Sequence, residues 1–199
     1  MSAPKAIATG MGLALCHFAK NCAGPPAHFH TVILSYNPCM APVLRPYEAR
    51  DFPALYRLDQ ACFPAGIAYT KTGLRYFLKL NGAQCLVAEE NERIAGFLLA
   101  EENAPLAHII TLDVAAPHRR CGIGSELLRQ TETNLAARGV RSILLETATT
   151  NEAAVAFWQR HGYRIEAVLK RYYLGRLDAY EMRKLLLAPA KERQAKRET

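Results

Sequence analysis

Two strand-like runs, residues 84–89 and 93–100, are separated only by Glu90-Asn91-Glu92, and this central hairpin restricts the fold more than any other feature. On either side of it strand and helix patterns alternate. Residues 43–45 read as a short strand. Asp51 is placed to cap a helix carrying Leu55, Leu58 and Cys62 on one face and stopped by Pro64. Residues 70–80 repeat the helical spacing through Leu74, Phe77 and Leu78, and Asn81-Gly82 closes them. After the hairpin come an apolar strand at 107–114 and a helix at 122–138 with Leu127, Leu128, Thr131 and Leu135 along its buried stripe. A strand at 142–147, a helix at 151–161 and two last strands at 163–170 and 179–187 complete the chain. A doubly wound parallel fold would alternate strictly, and the hairpin argues against it. The order β-α-α-β-β-β-α-β-α-β-β predicts a mixed α/β sheet with helices on both faces.

This patterning divides the chain into residues 1–40, a poorly structured N-terminal extension that ends at a possible alternative start at Met40; 41–187, one domain; and 188–199, a charged C-terminal tail. The apolar stretch 6–15 resembles a secretory signal only superficially, since glycines interrupt it and no small-residue cleavage site follows. No apolar run approaches the roughly 20 residues of a membrane span. The formal net charge is +7, but the extension and tail carry part of it. About +3 is left on the domain, too little for a nucleic-acid binder and compatible with a polyanionic small ligand. The six cysteines form no C-x-x-C pair, and Cys16, His17, Cys22, His28 and His30 lack zinc-finger spacing. They read as scattered thiols and imidazoles of a reducing compartment, so a cytoplasmic protein without a metal is expected.

The chemistry centres on Arg119-Arg120-Cys121-Gly122-Ile123-Gly124, between a strand and a helix. Glycines there let backbone approach an anion, and the helix start offers unpaired N–H groups and a favourable dipole. The arginines add charge and Ser125 a hydroxyl, which suits a pyrophosphate. A P-loop would need a lysine where Ser125-Glu126 stand. A dinucleotide fingerprint would need a third small residue at Leu127, although Glu146 lies at a passable distance for a ribose contact. A turn that merely starts a helix remains the plain alternative.

The flanks separate these readings. Residues 108–128, from His108 through Leu127-Leu128, closely resemble the acetyl-CoA-binding motif of the GNAT superfamily, in which Arg119, Gly122 and Gly124 match the characteristic positions. Residues 144–147, 151–158 and 161–163 resemble the family's next block in order and spacing. Phe63-Pro64 and Tyr172-Tyr173 resemble the subgroup that acetylates protein N-termini, typified by ribosomal-protein-alanine acetyltransferases. The resemblance spans 43–187. It implies a GNAT fold, a mixed and mostly antiparallel sheet splayed between strands 107–114 and 142–147. It also implies acetyl-CoA as cosubstrate. Backbone groups of Leu112, Asp113 and Val114 would pair with the pantetheine arm, Arg119 with Arg120 to Ser125 (Cys121, Gly122, Ile123 and Gly124 between them) would hold the pyrophosphate, and Asn151 would reach the cofactor arm or cap its helix.

Acetyl transfer needs a neutral amine, whereas an α-amine has a pKa of about 7.7–8.0, so a base beside it can suffice. The resemblance puts a catalytic glutamate at Glu146. His108 is the rival, with a suitable intrinsic pKa, and the two could share the task through a water. The family's acid tyrosine is replaced by Trp158, whose indole is no useful acid and whose spacing from Ala154 suits the core. Tyr172 or Tyr173 would then act, or the thiolate would leave aided by water and helix dipoles. Direct transfer leaves no need for Cys121 as a nucleophile. The expected acceptor is a protein N-terminus, a ribosomal protein among the candidates, held by Phe63, Pro64, Ile67, Tyr172 and Tyr173. A small-molecule amine and a non-catalytic acyl-CoA-binding role are the alternatives.

Overall fold

Asn91 and Glu92 both adopt left-handed backbone, φ 49° and 59°, and so make the two-residue turn whose twist suits a tight hairpin. They join β2 (Ala83–Glu90) to β3 (Arg93–Asn103), and β4 (Leu106–Val114) adds antiparallel to β3. The computed structural model describes residues 42–186. The predicted extension, tail and Cys/His tract lie outside the described residues. The remaining elements are β1 (Val43–Pro46), α1 (Phe52–Cys62), α2 (Lys71–Leu78), α3 (Ile123–Ala137), β5 (Ser142–Ala148), α4 (Glu152–Arg160), β6 (Arg164–Tyr173) and β7 (Leu177–Leu185). Their order is the one the sequence predicts.

The strands form one sheet in the order β1-β2-β3-β4-β5-β7-β6. Every neighbouring pair is antiparallel except β4 with β5. Alternation along β3 sends Leu98 and Ala100 into a core with Leu127, Leu128 and Leu135 of α3 and Phe157 and Trp158 of α4. Phe97 and Leu99 point the other way, into a second core with Phe52 and Leu55 of α1 and Leu74 of α2. Helices therefore cover both faces.

Two local expectations need correction. Asp51 precedes α1 but makes no side-chain cap bond. Its carboxylate instead accepts both guanidinium nitrogens of Arg45 at 2.7 and 2.9 Å and the Glu48 N–H at 2.8 Å. The ion pair ties β1 to the turn before α1, and the Arg45 guanidinium holds the Asp51 carboxyl below its ordinary range. The charged partner and the Glu48 N–H together occupy both oxygens and turn them away from the helix start. The second helix ends at Leu78, two residues short of prediction. Gly82 is needed for a different reason: a Cβ there would sit 2.0 Å from the Glu102 carbonyl oxygen, which belongs to the backbone of β3.

Backbone cannot yield as a flexible side chain can. Gly82→Ala is therefore expected to destabilise the fold by about 1–3 kcal/mol, the usual cost of overpacking. Thermal melting of the purified protein checks this, and an unchanged Tm would show that the β2–β3 register relaxes freely.

Candidate active site

The parallel partners β4 and β5 pair only at Leu106–Ser142, Ala107–Ile143 and His108–Leu144. Beyond these three pairs they diverge and leave an open wedge in the sheet. At its vertex, Ala107, Ile109, Ile143 and Leu145 all face the α3/α4 core. Alternation then turns His108 and Glu146 to the opposite face, the one bearing α1 and α2. There they meet, with His108 Nε2 donating to Glu146 Oε2 at 2.7 Å. The Glu146 side chain is 6% exposed and that of His108 22%. The structure thus joins the two rival bases directly, with no water between them.

Two further groups converge here. Tyr172 faces Glu146 with a buried hydroxyl. Burial first, and then the Glu146 charge, push its phenol pKa up. Glu181 stands opposite Glu146 in the β5–β7 pairing. Sequence reading missed Glu181. The signal was the alternation of β7, where Tyr180 and Met182 enter the α3/α4 core and Ala179 and Glu181 take the other face.

Beside the pair lies a small apolar cluster of Ile67, Leu169, Tyr172, Tyr173, Leu177, Ala148 and Ala179. It brings the α1–α2 connection against the β6–β7 hairpin, and a Cβ on Gly66 would lie 3.1 Å from Leu174 Cδ2. Of the five predicted groove residues, Ile67 and Tyr172 are half-buried and Pro64 is exposed. Phe63 and Tyr173 are buried, 6% and 5% exposed, so neither offers an open wall, and of the two only Tyr173 belongs to this cluster. Trp158 is fully buried between Phe157 and Tyr163, as its spacing predicts.

At the wide end of the wedge, Arg120 and Gly122 both take left-handed backbone, φ 66° and 83°, and curl the chain into the start of α3. The first bond of the helical ladder runs from Glu126 N–H to the Gly122 carbonyl at 3.0 Å. The N–H groups of Ile123, Gly124 and Ser125 precede it and project from the helix end, a cradle for a phosphate. Around it three predicted roles change. Arg119 turns away from the cradle, donating Nε to the Val114 carbonyl at 2.9 Å and Nη2 to Cys62 Sγ at 3.5 Å. Ser125 Oγ is hydrogen-bonded to His161 Nε2 at 3.0 Å. A Cβ on Gly124 would meet Phe157 and Val114 at an ordinary 3.6 Å, so packing within the protein does not require that glycine. Cys121 is half-buried beside the α3/α4 core, and Asn151 Oδ1 accepts the Ala154 N–H at 3.2 Å as a helix cap.

The edge of β4 offers the other half of a cofactor site. The Asp113 carbonyl lies against Gly96 of β3, so Asp113 spends its backbone inside the sheet. By alternation Leu112 and the Val114 N–H face the wedge, the Val114 carbonyl being taken by Arg119 Nε. Asp113 is thus corrected from the predicted trio. Its buried carboxyl accepts the Thr111 hydroxyl at 2.8 Å, and burial holds its pKa well above the usual range. An extended polar arm along Leu112 and Val114, ending in a pyrophosphate at residues 123–125, fits both features.

This wedge, cradle and carboxylate vertex belong to an acyl-transfer fold, and the family assignment agrees. The chain belongs to the acetyltransferase (GNAT) family, whose model matches residues 52–163. N-alpha-acetyltransferase 30 of Schizosaccharomyces pombe is 31% identical over 117 residues, covering 56% of this chain and 78% of that protein. The ribosomal protein bS18-alanine N-acetyltransferase of Escherichia coli K12 is 29% identical over 138 residues, covering 67% and 88%. The crystal structure of Ard1 from Thermoplasma volcanium shares the fold, with a TM-score of 0.69 at 24% identity over 74% of this chain and 99% of that one. The protein is an N-acetyltransferase of a family that uses acetyl-CoA, which sets the non-catalytic alternative aside.

The two glycines of the cradle should respond differently. Gly122→Ala forces a side chain into left-handed backbone, at about 1–2 kcal/mol, and is expected to raise KM for acetyl-CoA. Gly124→Ala should leave KM and Tm near wild type. Steady-state kinetics with both variants checks the contrast, and equal effects would show that conformation is not what Gly122 supplies.

Proposed function

We propose that this enzyme transfers acetyl from acetyl-CoA to the α-amine of a protein N-terminus, in the cytoplasm, by direct attack. The observation that carries the reading is the His108–Glu146 pair at the vertex of the wedge, beside the apolar cluster where the α1–α2 connection meets the β6–β7 hairpin. Glu146 and Glu181 give this floor a negative charge that attracts an ammonium group. The apolar cluster around Ile67 and Tyr172 suits the side chain that follows a backbone amine. The relatives named for N-terminal and ribosomal-protein-alanine acetylation support a protein acceptor, with a ribosomal protein as a candidate.

The chemistry follows from the geometry. The cradle at residues 123–125 and the Leu112 and Val114 backbone hold acetyl-CoA so that its thioester reaches the vertex. Glu146, oriented by the His108 N–H, takes the proton of the incoming ammonium. The neutral amine forms the new C–N bond as the C–S bond breaks. The proton held by the His108–Glu146 pair then returns to the departing thiolate, so no covalent enzyme intermediate is needed. Tyr172 keeps its proton, because burial and Glu146 oppose its ionisation, and its hydroxyl beside Glu146 is placed to orient the amine. No helix among the described residues is long and apolar enough to cross a membrane.

If His108 and Glu146 work as one unit, Glu146→Gln and His108→Ala should each lower kcat by about 10²–10⁴-fold. The double variant should then be little worse than the more damaged single. Fully multiplicative losses would show two independent roles. The acceptor is tested with acetyl-CoA and parallel panels of free-N-terminus peptides and small amines. Turnover of peptides is expected, whereas turnover of small amines alone contradicts a protein substrate.

A further inference from the structure

On β6, Leu169 pairs with Ala179 and Tyr173 with Leu177, so Lys170, Arg171 and Tyr172 all face the single Asp178 of β7. Arg171 takes a left-handed φ of 53°, which a side-chain-bearing residue adopts only when its surroundings impose it. Asp178 imposes it. Its Oδ1 accepts the Arg171 N–H at 2.8 Å and its Oδ2 accepts Lys170 Nζ at 2.8 Å. Its own carbonyl accepts the Thr149 N–H at 3.1 Å, just beyond the strand that carries Glu146. The Lys170 ammonium keeps the Asp178 carboxyl below its ordinary range, so the clamp stays ionised.

The bulge has a consequence for the site. In a regular strand, consecutive residues point to opposite faces. Here Tyr172 and Tyr173 are consecutive, yet both join the apolar cluster beside Glu146, and their rings meet edge to face at 4.9 Å. Extra residues in one strand allow this, and bulges elsewhere re-aim side chains in the same way. We propose that Asp178 is a positioning residue for acetyl transfer, fixing the 170–172 bulge so that the Tyr172 hydroxyl faces Glu146. This rests on the reading of His108, Glu146 and Tyr172 as the reacting site, but not on the identity of the acceptor.

The test uses the full chain with ¹³C-labelled tyrosine rings, Tyr172 being assigned by its loss in Tyr172→Phe. In the wild type the Tyr172 phenol should titrate above the ordinary value of about 10. Asp178→Ala is expected to lower its midpoint toward that value, as the phenol loses the facing Glu146 charge. It should also lower kcat by about 10- to 100-fold, with KM for acetyl-CoA unchanged, measured on the best peptide of the panel above. Asp178→Asn, which still accepts the Arg171 N–H, should keep both properties, and Lys170→Ala, which removes only an exposed ion pair, should as well. Should Asp178→Ala not fold, Asp178→Ser reads the same quantity with a side chain too short to bridge. A Tyr172 midpoint that stays at its wild-type value in Asp178→Ala overturns the proposal. So does a kcat loss that multiplies with that of Tyr172→Phe in the double variant. If Tyr172→Phe alone leaves kcat untouched, the catalytic reading of Tyr172 fails, while the titration still decides whether Asp178 positions it.

Discussion

The structure depends on a pairing that stops. After His108–Leu144 the only parallel pair among the described residues comes apart, and by alternation Leu112 and the Val114 N–H face the gap. Buried backbone donors and acceptors need partners, so an interrupted sheet is an invitation to an extended polar ligand able to act as an added strand. The same divergence exposes the vertex, where side chains of two strands can meet without being sealed by the next pair. Cofactor arm and reacting carboxylate therefore come from one geometric event.

What surrounds the wedge keeps it open at the right places. Arg119, a formal charge in the sequence, serves as a strut, tying the loop before α3 to the Val114 carbonyl and to Cys62 of α1. The fully buried Trp158 fills the core where the family's acid tyrosine would otherwise stand. In the proposed mechanism the reaction runs on groups of the opposite face, the His108–Glu146 pair and Tyr172. The proton arithmetic allows this, since one pair can take a proton from the amine and return it to the thiolate.

Much of this was legible in the sequence. The hairpin excluded a doubly wound sheet, the glycine-rich turn marked the start of α3, and both Glu146 and His108, which the structure brings together, were visible candidates. What stayed hidden depends on phase and register. The run from Ala107 to Val114 is apolar nearly throughout, which concealed that Ile109 and Ile110 enter opposite cores and that the strand slips by one residue against Leu99 and Ala100. Asp113 was misassigned for the same reason, because which strand receives a backbone carbonyl follows from register alone. Asp51 resembled a cap until Arg45, a distant residue in pattern though not in space, claimed its oxygens. Asp178 and Glu181 gave no motif; their importance comes from facing a bulge and a carboxylate across β7.

The most direct test is a crystal structure with a bisubstrate inhibitor that joins CoA through an acetyl bridge to the α-nitrogen of a short peptide. The account predicts that nitrogen within about 2.6–3.2 Å of Glu146, or one water away, with the pyrophosphate on the N–H groups of Ile123, Gly124 and Ser125. A nitrogen remote from both Glu146 and His108, with the peptide leaving the wedge by another face, would contradict it.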